Sequence, residues 1–299
     1  MPTLNPPLRA STPDRPAVGW AVALYDRVAL GMSAHLTRRY STSFTLGIRA
    51  LAPALRAPVY AIYGFVRLAD EIVDTFHEHD KAALLADFRR QTDEAIRTGL
   101  SINPVLHAFQ LVVHRYGIEE ELIDAFLLSM EMDLDEGRRY DTDLYARYIY
   151  GSAEVVGLMC LRVFCDGDAA LCDRLREPAR RLGAAFQKVN FLRDLRADHA
   201  ERGRTYFPGV DFSCFDDAAK QAIEADIRAD FAAGLLGIRQ LPRTARLGVF
   251  LAYTYYQRLF ARICRVPAAR VQCERIRVPD GWKLALLASS WLQFRLGRV

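Results

Sequence analysis

Two acidic motifs in distant parts of this sequence carry the side chains best suited to chemistry. The first motif is RLADEIVD at residues 67–74, and the second is QKVNFLRDLRAD at residues 187–198. In each motif a side chain with oxygen atoms recurs every four residues, so each row lies along one face of a predicted helix. The members of these rows are Asp70 and Asp74 in the first motif, and Asn190, Asp194 and Asp198 in the second.

Apolar neighbours such as Ile72 and Leu192 indicate that both helices are buried. A row of carboxylates on a buried helix is costly unless a cation neutralises it. Mg²⁺ prefers oxygen ligands and commonly links one or two carboxylates to the phosphates of a substrate, and Mn²⁺ takes the same ligands. Two such rows that face each other would therefore hold Mg²⁺ and a diphosphate.

Each motif also has an interpretation that needs no metal. An Asp pair at this spacing is most often a solvated helix face, and Arg67 could pair with Asp70 or Glu71 of its own helix. Like charges four residues apart destabilise a helix by about 0.2–0.5 kcal/mol. The repetition of this arrangement in two apolar helices, with Arg67 in the first and Arg193 in the second, favours metal binding.

Helical periodicity dominates the rest of the chain, and the alternation typical of strands is nearly absent. We expect helices near residues 20–39, 54–76, 80–98, 104–116, 119–137, 141–165, 168–199, 216–240, 243–265 and 280–296. No low-complexity linker separates the acidic motifs. We therefore predict an all-α, single-domain protein in which residues 20–299 form the domain and residues 1–19, with five prolines, form a disordered tail.

Composition excludes several classes of protein. The formal net charge is +4 without a long basic run, so no nucleic-acid partner is expected. The six cysteines form no CxxC pair and no zinc spacing, which is typical of core residues in a reducing compartment. We see no signal peptide and no apolar run of about 18–20 residues, so we predict a cytoplasmic protein. The oligomeric state stays open.

Five segments of the sequence resemble the squalene/phytoene synthase family, whose members join two isoprenoid diphosphates head to head. These segments are residues 41–44, 61–74, 132–134, 148–157 and 183–208. Their order and spacing follow the family from about Tyr40 to Val278, and the sequence is most similar to the bacterial phytoene synthases. The resemblance implies an isoprenoid-synthase-type helical bundle in which both acidic motifs line a central cavity.

The resemblance also implies roles for individual residues. It assigns the two rows to metal binding and places Arg67 and Arg193 against diphosphate oxygens. The other positions it assigns to catalysis are Tyr63, Tyr148, Arg204 and Tyr206. The positions it assigns to substrate binding are Ser41, Ser43, Phe44, Val156, Gly157, Gly183, Gln187 and Tyr255. Several have simpler explanations, since Ser41 and Ser43 could be turn residues and Tyr148 could be a core tyrosine.

The reaction implied by the resemblance is the condensation of two geranylgeranyl diphosphates, through a cyclopropyl diphosphate, to phytoene. With farnesyl diphosphate the same first step would lead to presqualene diphosphate, squalene or dehydrosqualene, and squalene alone would require NADPH. A non-catalytic scaffold protein is the third alternative, which the two intact acidic motifs disfavour. Prenyl chain length depends on the side chains that close the far end of the channel, among which Phe44 and Ile48 are candidates.

Three further segments carry open questions. Glu154 replaces the small residue that is common in the family, so it either points out of the cavity or adds charge near the metals. Residues 203–208, which include Arg204 and Tyr206, could form a loop that closes over the site. The segment from Trp282 to Val299 could be a core helix, or a basic helix that contacts a membrane peripherally and helps release a hydrocarbon.

Overall fold

The computed structural model describes residues 18–135, 140–202, 206–208, 215–277 and 281–299. Within these ranges the chain is helical and contains no strand, which confirms the predicted all-α class. The helices, in chain order, are α1 (Val18–Tyr40), α2 (Thr42–Arg49), α3 (Pro53–Asp74), α4 (Lys81–Thr98), α5 (Pro104–Tyr116), α6 (Glu120–Met132), α7 (Thr142–Ile149), α8 (Val155–Cys165), α9 (Ala169–Arg202), α10 (Asp217–Gln240), α11 (Arg243–Ile263), α12 (Ala268–Cys273) and α13 (Gly281–Arg295).

Local sequence signals explain why these helices begin and end where they do. Helix α5 begins with Pro104 after Asn103, whose side chain accepts a hydrogen bond from the Val105 backbone N–H at 3.0 Å. It ends at Gly117, which has a φ of 60°, a left-handed conformation that glycine adopts at little cost. Helix α4 has the same design, with Asp80 at its start and a left-handed Gly99 at its end.

The structure differs from the predicted helices and tail in five places. Helices α2 and α12 were not predicted, because eight and six residues are too few for a clear helical period. The helix predicted at 119–137 ends at Met132, and residues 136–139 lie outside the described ranges. The helix predicted at 141–165 is interrupted by a π-helical turn, Tyr150–Glu154, between α7 and α8. The chain is helical from Val18, and the rest of the predicted tail lies outside the described residues.

The long helices pack around a central cavity. Helix α3 packs against α1, α5 and α8, while α9 packs against α8, α10 and the π-helical turn, and α2 lies on α11. The larger apolar core fills the space between α3 and its neighbours, where Phe65 stacks on Phe109 with ring centroids 3.9 Å apart. A second core surrounds Phe191 of α9. The two acidic motifs lie on α3 and α9, so both cores hold them in place.

The continuous helical stretch Thr142–Cys165 is long and apolar enough to cross a bilayer by length and composition, contrary to the sequence expectation. Half of its most apolar window is buried inside the protein. The stretch packs against α6 and α9, so the packing of this helix in the interior explains its apolar composition.

Candidate active site

The cavity has a volume of about 1110 Å³ and brings the two acidic rows together. Asp70 and Asp74 enter it from α3, and Asn190 and Asp194 enter it from α9. Every predicted site residue whose side chain is described lines this same cavity. The side chain of Asp198 and the whole of Arg204 lie outside the described residues. The structure therefore assembles the predicted residues in one place, while their individual roles stay predictions.

Asp70 is the most perturbed carboxyl group of the first row. Burial raises its pKa to about 7, against an ordinary value of 3.8; the positive charge of Arg67 opposes this shift, and the carboxylates of Asp74 and Asp133 add to it. A carboxyl group in such surroundings gains from a nearby cation. The donor set of this row therefore fits a divalent metal ion.

Arg67 keeps its own-helix partner and also faces the cavity. Its guanidinium group forms a salt bridge with Glu71, lies 4.0 Å from Asp70 Oδ2 and stacks 4.4 Å from the centroid of the Tyr40 ring. Its Nε atom is buried and has no hydrogen-bond partner among the described residues. The own-helix pair of Arg67 is therefore present, and its contact with a diphosphate stays a prediction, which the unused donor of the guanidinium group allows.

Two arginines contact Asp194 of the second row, and a tyrosine donates a hydrogen bond to Asn190. Arg193 Nε donates to Asp194 Oδ1 at 3.0 Å, and Arg275 Nε lies 2.7 Å from the same oxygen. Burial alone would lower the pKa of Arg193, but its hydrogen bonds to Asp194 raise it. The Asn190 side chain accepts a hydrogen bond from Tyr256 Oη at 3.3 Å. This row therefore combines neutral and charged oxygen atoms with two cationic side chains.

The described residues contain no group of three or more His, Cys, Asp or Glu side chains that could hold a metal by themselves. Mg²⁺ commonly takes only one or two carboxylates and completes its shell with water and substrate phosphate. Asp70 with Asp74, and Asp194 with Asn190, meet that requirement as two separate oxygen sets. The residues thus fit a metal that binds together with a diphosphate.

Residues at the polar end of the cavity that were not predicted as site residues include Asp133, Tyr256 and Arg275. Tyr256 follows the predicted Tyr255 on α11, and the cavity positions Gly248, Ala252 and Tyr255 recur at helical spacing, which is a signal that could have identified it. Arg275 lies after α12 in a segment without a motif. Only the folded chain brings it to Asp194.

Tyr148 is both a core residue and a cavity residue. It is 3% exposed, and its hydroxyl group donates to the Asp133 carboxylate, with oxygen–oxygen distances of 2.9 and 2.8 Å. Burial and the neighbouring Asp133 charge raise the pKa of Tyr148 well above its usual range. Tyr206 stacks on Phe191 with ring centroids 4.0 Å apart. Tyr206 is thereby attached to α9 beside the second row.

Two close helix contacts form the apolar wall of the cavity. A Cβ atom on Gly183 would lie 2.7 Å from the Ala153 carbonyl oxygen, and one on Gly157 would lie 3.0 Å from the Ala179 carbonyl oxygen. These glycines therefore allow the close approach of α9 to the π-helical turn and to the start of α8. Val156 and Phe44 also face the cavity from this wall and from α2.

Ser41 and Ser43 were expected either to bind substrate or to be turn residues. Ser41 caps α2, since its Oγ accepts a hydrogen bond from the Phe44 backbone N–H at 3.2 Å. It also hydrogen-bonds to the Tyr63 hydroxyl group. Ser43 lines the cavity as well. Ser41 is therefore a turn residue that also faces the site.

Glu154 lies outside the cavity lining, which answers the question raised by its sequence position. Its carboxylate lies 2.6 Å from Arg180 Nε of α9. Burial raises the pKa of Glu154, and the hydrogen bond from Arg180 opposes that shift. Glu154 therefore ties the π-helical turn to α9 and adds no charge near the acidic rows.

Comparisons with known proteins agree with the resemblance seen in the sequence. Residues 37–282 match the family model described as squalene/phytoene synthase. The chain is 30% identical over 279 residues to a phytoene synthase of Rhodobacter capsulatus, with 85% of this chain and 78% of that protein covered. It is 31% identical over 190 residues to a phytoene synthase of Arthrospira platensis, with 60% of this chain covered, and it spans only 61% of that relative's length.

The fold is similar to that of a solved dehydrosqualene synthase. The TM-score is 0.78 with 20% sequence identity, and the match covers 91% of this chain and 98% of the other. At this identity the similarity concerns the fold, and it confirms the expected isoprenoid-synthase helical architecture.

Proposed function

Because the chain belongs to the squalene/phytoene synthase family, we propose that it is a prenyltransferase that joins two prenyl diphosphates head to head. The proposed reaction joins two geranylgeranyl diphosphates through a cyclopropyl diphosphate to give phytoene. The observation that carries the proposal is a single cavity that combines two oxygen-bearing rows with a long apolar wall. Polar groups bind the leaving diphosphates, and the apolar wall encloses the hydrocarbon chains.

The metal in this proposal is Mg²⁺, with Mn²⁺ as a substitute that takes the same ligands. Asp70 and Asp74 would hold it on α3, and Asn190, Asp194 and Asp198 would hold it on α9. When bound, the ion supplies Lewis-acid stabilisation of the departing diphosphate. NADPH enters only if the product is squalene.

The protein's own residues bind the diphosphates and keep water out. Arg67 has a buried, unpartnered Nε that suits a diphosphate oxygen, and Arg193 contributes a second guanidinium group on α9. Tyr63, Tyr148 and Tyr255 add hydroxyl groups at this end of the cavity. The apolar remainder of the cavity protects a carbocation from water. Arg204 and Tyr206 are assigned to a segment that closes over the site.

The length of the apolar wall favours geranylgeranyl over farnesyl diphosphate. Cavity-lining residues continue from Tyr148 to Phe164, a helical stretch of about 24 Å at a rise of about 1.5 Å per residue. With carbon–carbon bonds of about 1.5 Å, an extended geranylgeranyl chain spans roughly 19 Å and a farnesyl chain roughly 14 Å. The longer chain fills this wall, whereas farnesyl would leave much of it without contacts.

The test is product analysis with purified protein, Mg²⁺ and either prenyl diphosphate, with and without NADPH. We expect phytoene from geranylgeranyl diphosphate without NADPH. Asp70→Asn and Asp194→Asn should each lower turnover by several orders of magnitude, because leaving-group stabilisation of about 4 kcal/mol is lost. Asp87→Asn, at an exposed position of α4, is the control that should keep full activity.

Three outcomes would contradict parts of this proposal. A squalene or dehydrosqualene product from farnesyl diphosphate, with no product from the longer substrate, would replace the proposed substrate. Near-normal turnover by Asp70→Asn or Asp194→Asn at saturating Mg²⁺ would remove the metal assignment. No product with either substrate would support the non-catalytic alternative.

A further inference from the structure

We propose that Cys160 and Phe164 of α8 set the maximum prenyl length for one of the two chains, Cys160 by leaving the channel open and Phe164 by closing it. This inference rests on the proposed function, because it specifies the substrate of the same cavity. It assigns a specificity role to two residues outside the five sequence segments that resemble the family.

The channel runs along helices α8 and α9. Helices α8 and α9 form an antiparallel pair, because the contact between positions 157 and 179 and the contact between positions 153 and 183 run in opposite directions along the two chains. Asn190 on α9 and Tyr148 on α7 therefore lie toward the polar end of this pair. Phe164 lies toward the opposite end, beside the turn that joins the two helices.

The side chains of α8 lie at different depths along the channel. Ser152, Val156, Cys160 and Phe164 line the cavity at successive four-residue intervals, so they follow one side of the channel. Measured from Tyr148, Cys160 lies at a depth of about 18 Å and Phe164 at about 24 Å, at a rise of about 1.5 Å per residue. A farnesyl chain of roughly 14 Å ends before Cys160, whereas a geranylgeranyl chain of roughly 19 Å, with bonds of about 1.5 Å, passes it.

The residues around the end of α8 close the channel. Helix α8 ends at Cys165, and Asp166 has a φ of 43°, so the chain turns away directly after Phe164. Leu161 and Leu175, which are 2% and 1% exposed, line the cavity in the same region. Phe164 packs against the larger core, which fixes its ring at this end. The distal end is therefore an apolar floor.

Cys160 is suited to an open wall because it is small and stays uncharged. Its side chain lines the cavity, and burial raises the pKa of its thiol to about 12, so the thiolate does not form near neutral pH. A large aromatic side chain at this position would occupy the space of the last isoprene unit. It would leave the space of the first three units unchanged.

The experiment compares Cys160→Phe with the matched control Cys160→Ala. For each protein we would measure turnover with farnesyl and geranylgeranyl diphosphate, and the affinity for the unreactive thiolodiphosphate analogue of each by calorimetry. We expect Cys160→Phe to lower the geranylgeranyl-to-farnesyl ratio at least tenfold in both measurements. Cys160→Ala should leave both ratios within about twofold of those of the unmodified protein.

Two further variants keep the test decisive. Cys160→Leu makes a smaller change and replaces Cys160→Phe if that variant does not fold, with the same direction of effect expected. Phe164→Ala should open the floor and increase the affinity for a C25 analogue at least fivefold relative to the C20 analogue. An unchanged chain-length ratio in folded Cys160→Phe or Cys160→Leu would overturn the inference.

The failure of this inference can be distinguished from failure of the proposed function. If the unmodified protein converts prenyl diphosphates but the Cys160 variants keep its chain-length ratio, only the channel assignment is wrong. If no protein forms a product but the analogues bind with the expected ratios, the channel assignment holds and the proposed reaction is wrong.

Discussion

The arginines at the polar end of the cavity already have carboxylate partners. Arg67 pairs with Glu71, and both Arg193 and Arg275 pair with Asp194. Paired guanidinium groups lose less conformational freedom when an anion arrives, because their side chains are already oriented. Binding of a diphosphate would then exchange one set of charge-assisted hydrogen bonds for another. These arginine side chains are therefore already oriented in the absence of a bound diphosphate.

Asp70→Asn should raise the thermal stability of the metal-free protein, and by clearly more at pH 8 than at pH 5. The pKa of Asp70 is about 7 in the folded protein, against an ordinary value of 3.8. The folded state therefore keeps a proton that the unfolded chain releases between these values, so the stability contributed by Asp70 declines as pH rises from about 4 to about 7 and is lost above the folded pKa. At pH 8 the carboxylate is ionised and partly desolvated, and an amide avoids that cost.

Thermal unfolding with a chelator at both pH values measures this effect. Asp87→Asn is the control, because Asp87 is exposed and its pKa is lowered by hydrogen bonds from Arg90 and Gln91. It should not raise the melting temperature at pH 8. Equal effects of Asp70→Asn at pH 5 and pH 8 would show that the burial of this carboxyl group does not control stability.

Close backbone contacts at glycine position the elements that carry the site. The π-helical turn between α7 and α8 packs so tightly on α6 that a Cβ atom on Gly151 would lie 2.4 Å from the Ala125 carbonyl oxygen. The turn places Ser152 and Ala153 in the cavity wall while Glu154 reaches Arg180 on the other side. Insertions of this kind are frequent at functional sites.

Gly151→Ala should destabilise the protein, and Gly31→Ala should not. The methyl group at position 151 must displace backbone atoms of α6, and overpacking of this kind typically costs about 1–3 kcal/mol. Gly31 is also helical but has open space around its Cα, so alanine should stabilise α1 by about 0.5–1 kcal/mol. Urea unfolding measures both values. Similar free energies of unfolding for the two variants would contradict the close contact.

Across the whole molecule, two surface helices expose large apolar side chains. Helix α1 exposes Trp20, which is 55% accessible, and α13 exposes Trp291 and Leu292 at 49% and 53%, followed directly after the helix by Leu296 at 58%. Helix α13 also packs on α11, as the core-helix interpretation of this segment expects, while its contact with a membrane stays a prediction. Arg295 stacks over Trp291. A basic, aromatic surface of this type suits the interface of an anionic membrane, which would accept a hydrocarbon product.

We propose that α13 contacts the membrane, and we expect Trp291→Ser combined with Leu292→Gln to weaken binding to vesicles that contain anionic lipid. Loss of exposed apolar area should reduce sedimentation with such vesicles several-fold and leave thermal stability unchanged, because these side chains are outside the core. Val28→Gln, at an exposed position of α1, is the comparison. If α1 makes the contact instead, the comparison variant alone will lose binding.

The sequence by itself determined the features that depend on local rules. Helical period, the caps at Asp80 and Asn103 and the glycines at 99 and 117 act within a few residues, so the all-α class and most helix positions were predictable. The two acidic rows were also predictable, because a four-residue spacing on a helix places oxygen atoms on one face whatever surrounds it. Local spacing was therefore enough to predict the acidic side chains that lie at the polar end of the cavity.

Only the tertiary structure decided which distant groups meet. The direction of Glu154, the approach of Arg275 to Asp194 and the place of Phe164 in the cavity lining all depend on how α8, α9 and the segment after α12 pack. The π-helical turn has the same origin, because Gly151 in this turn packs closely against the backbone of Ala125 in α6, which is distant in sequence. Packing energy between distant segments sets these features, and no local spacing encodes it.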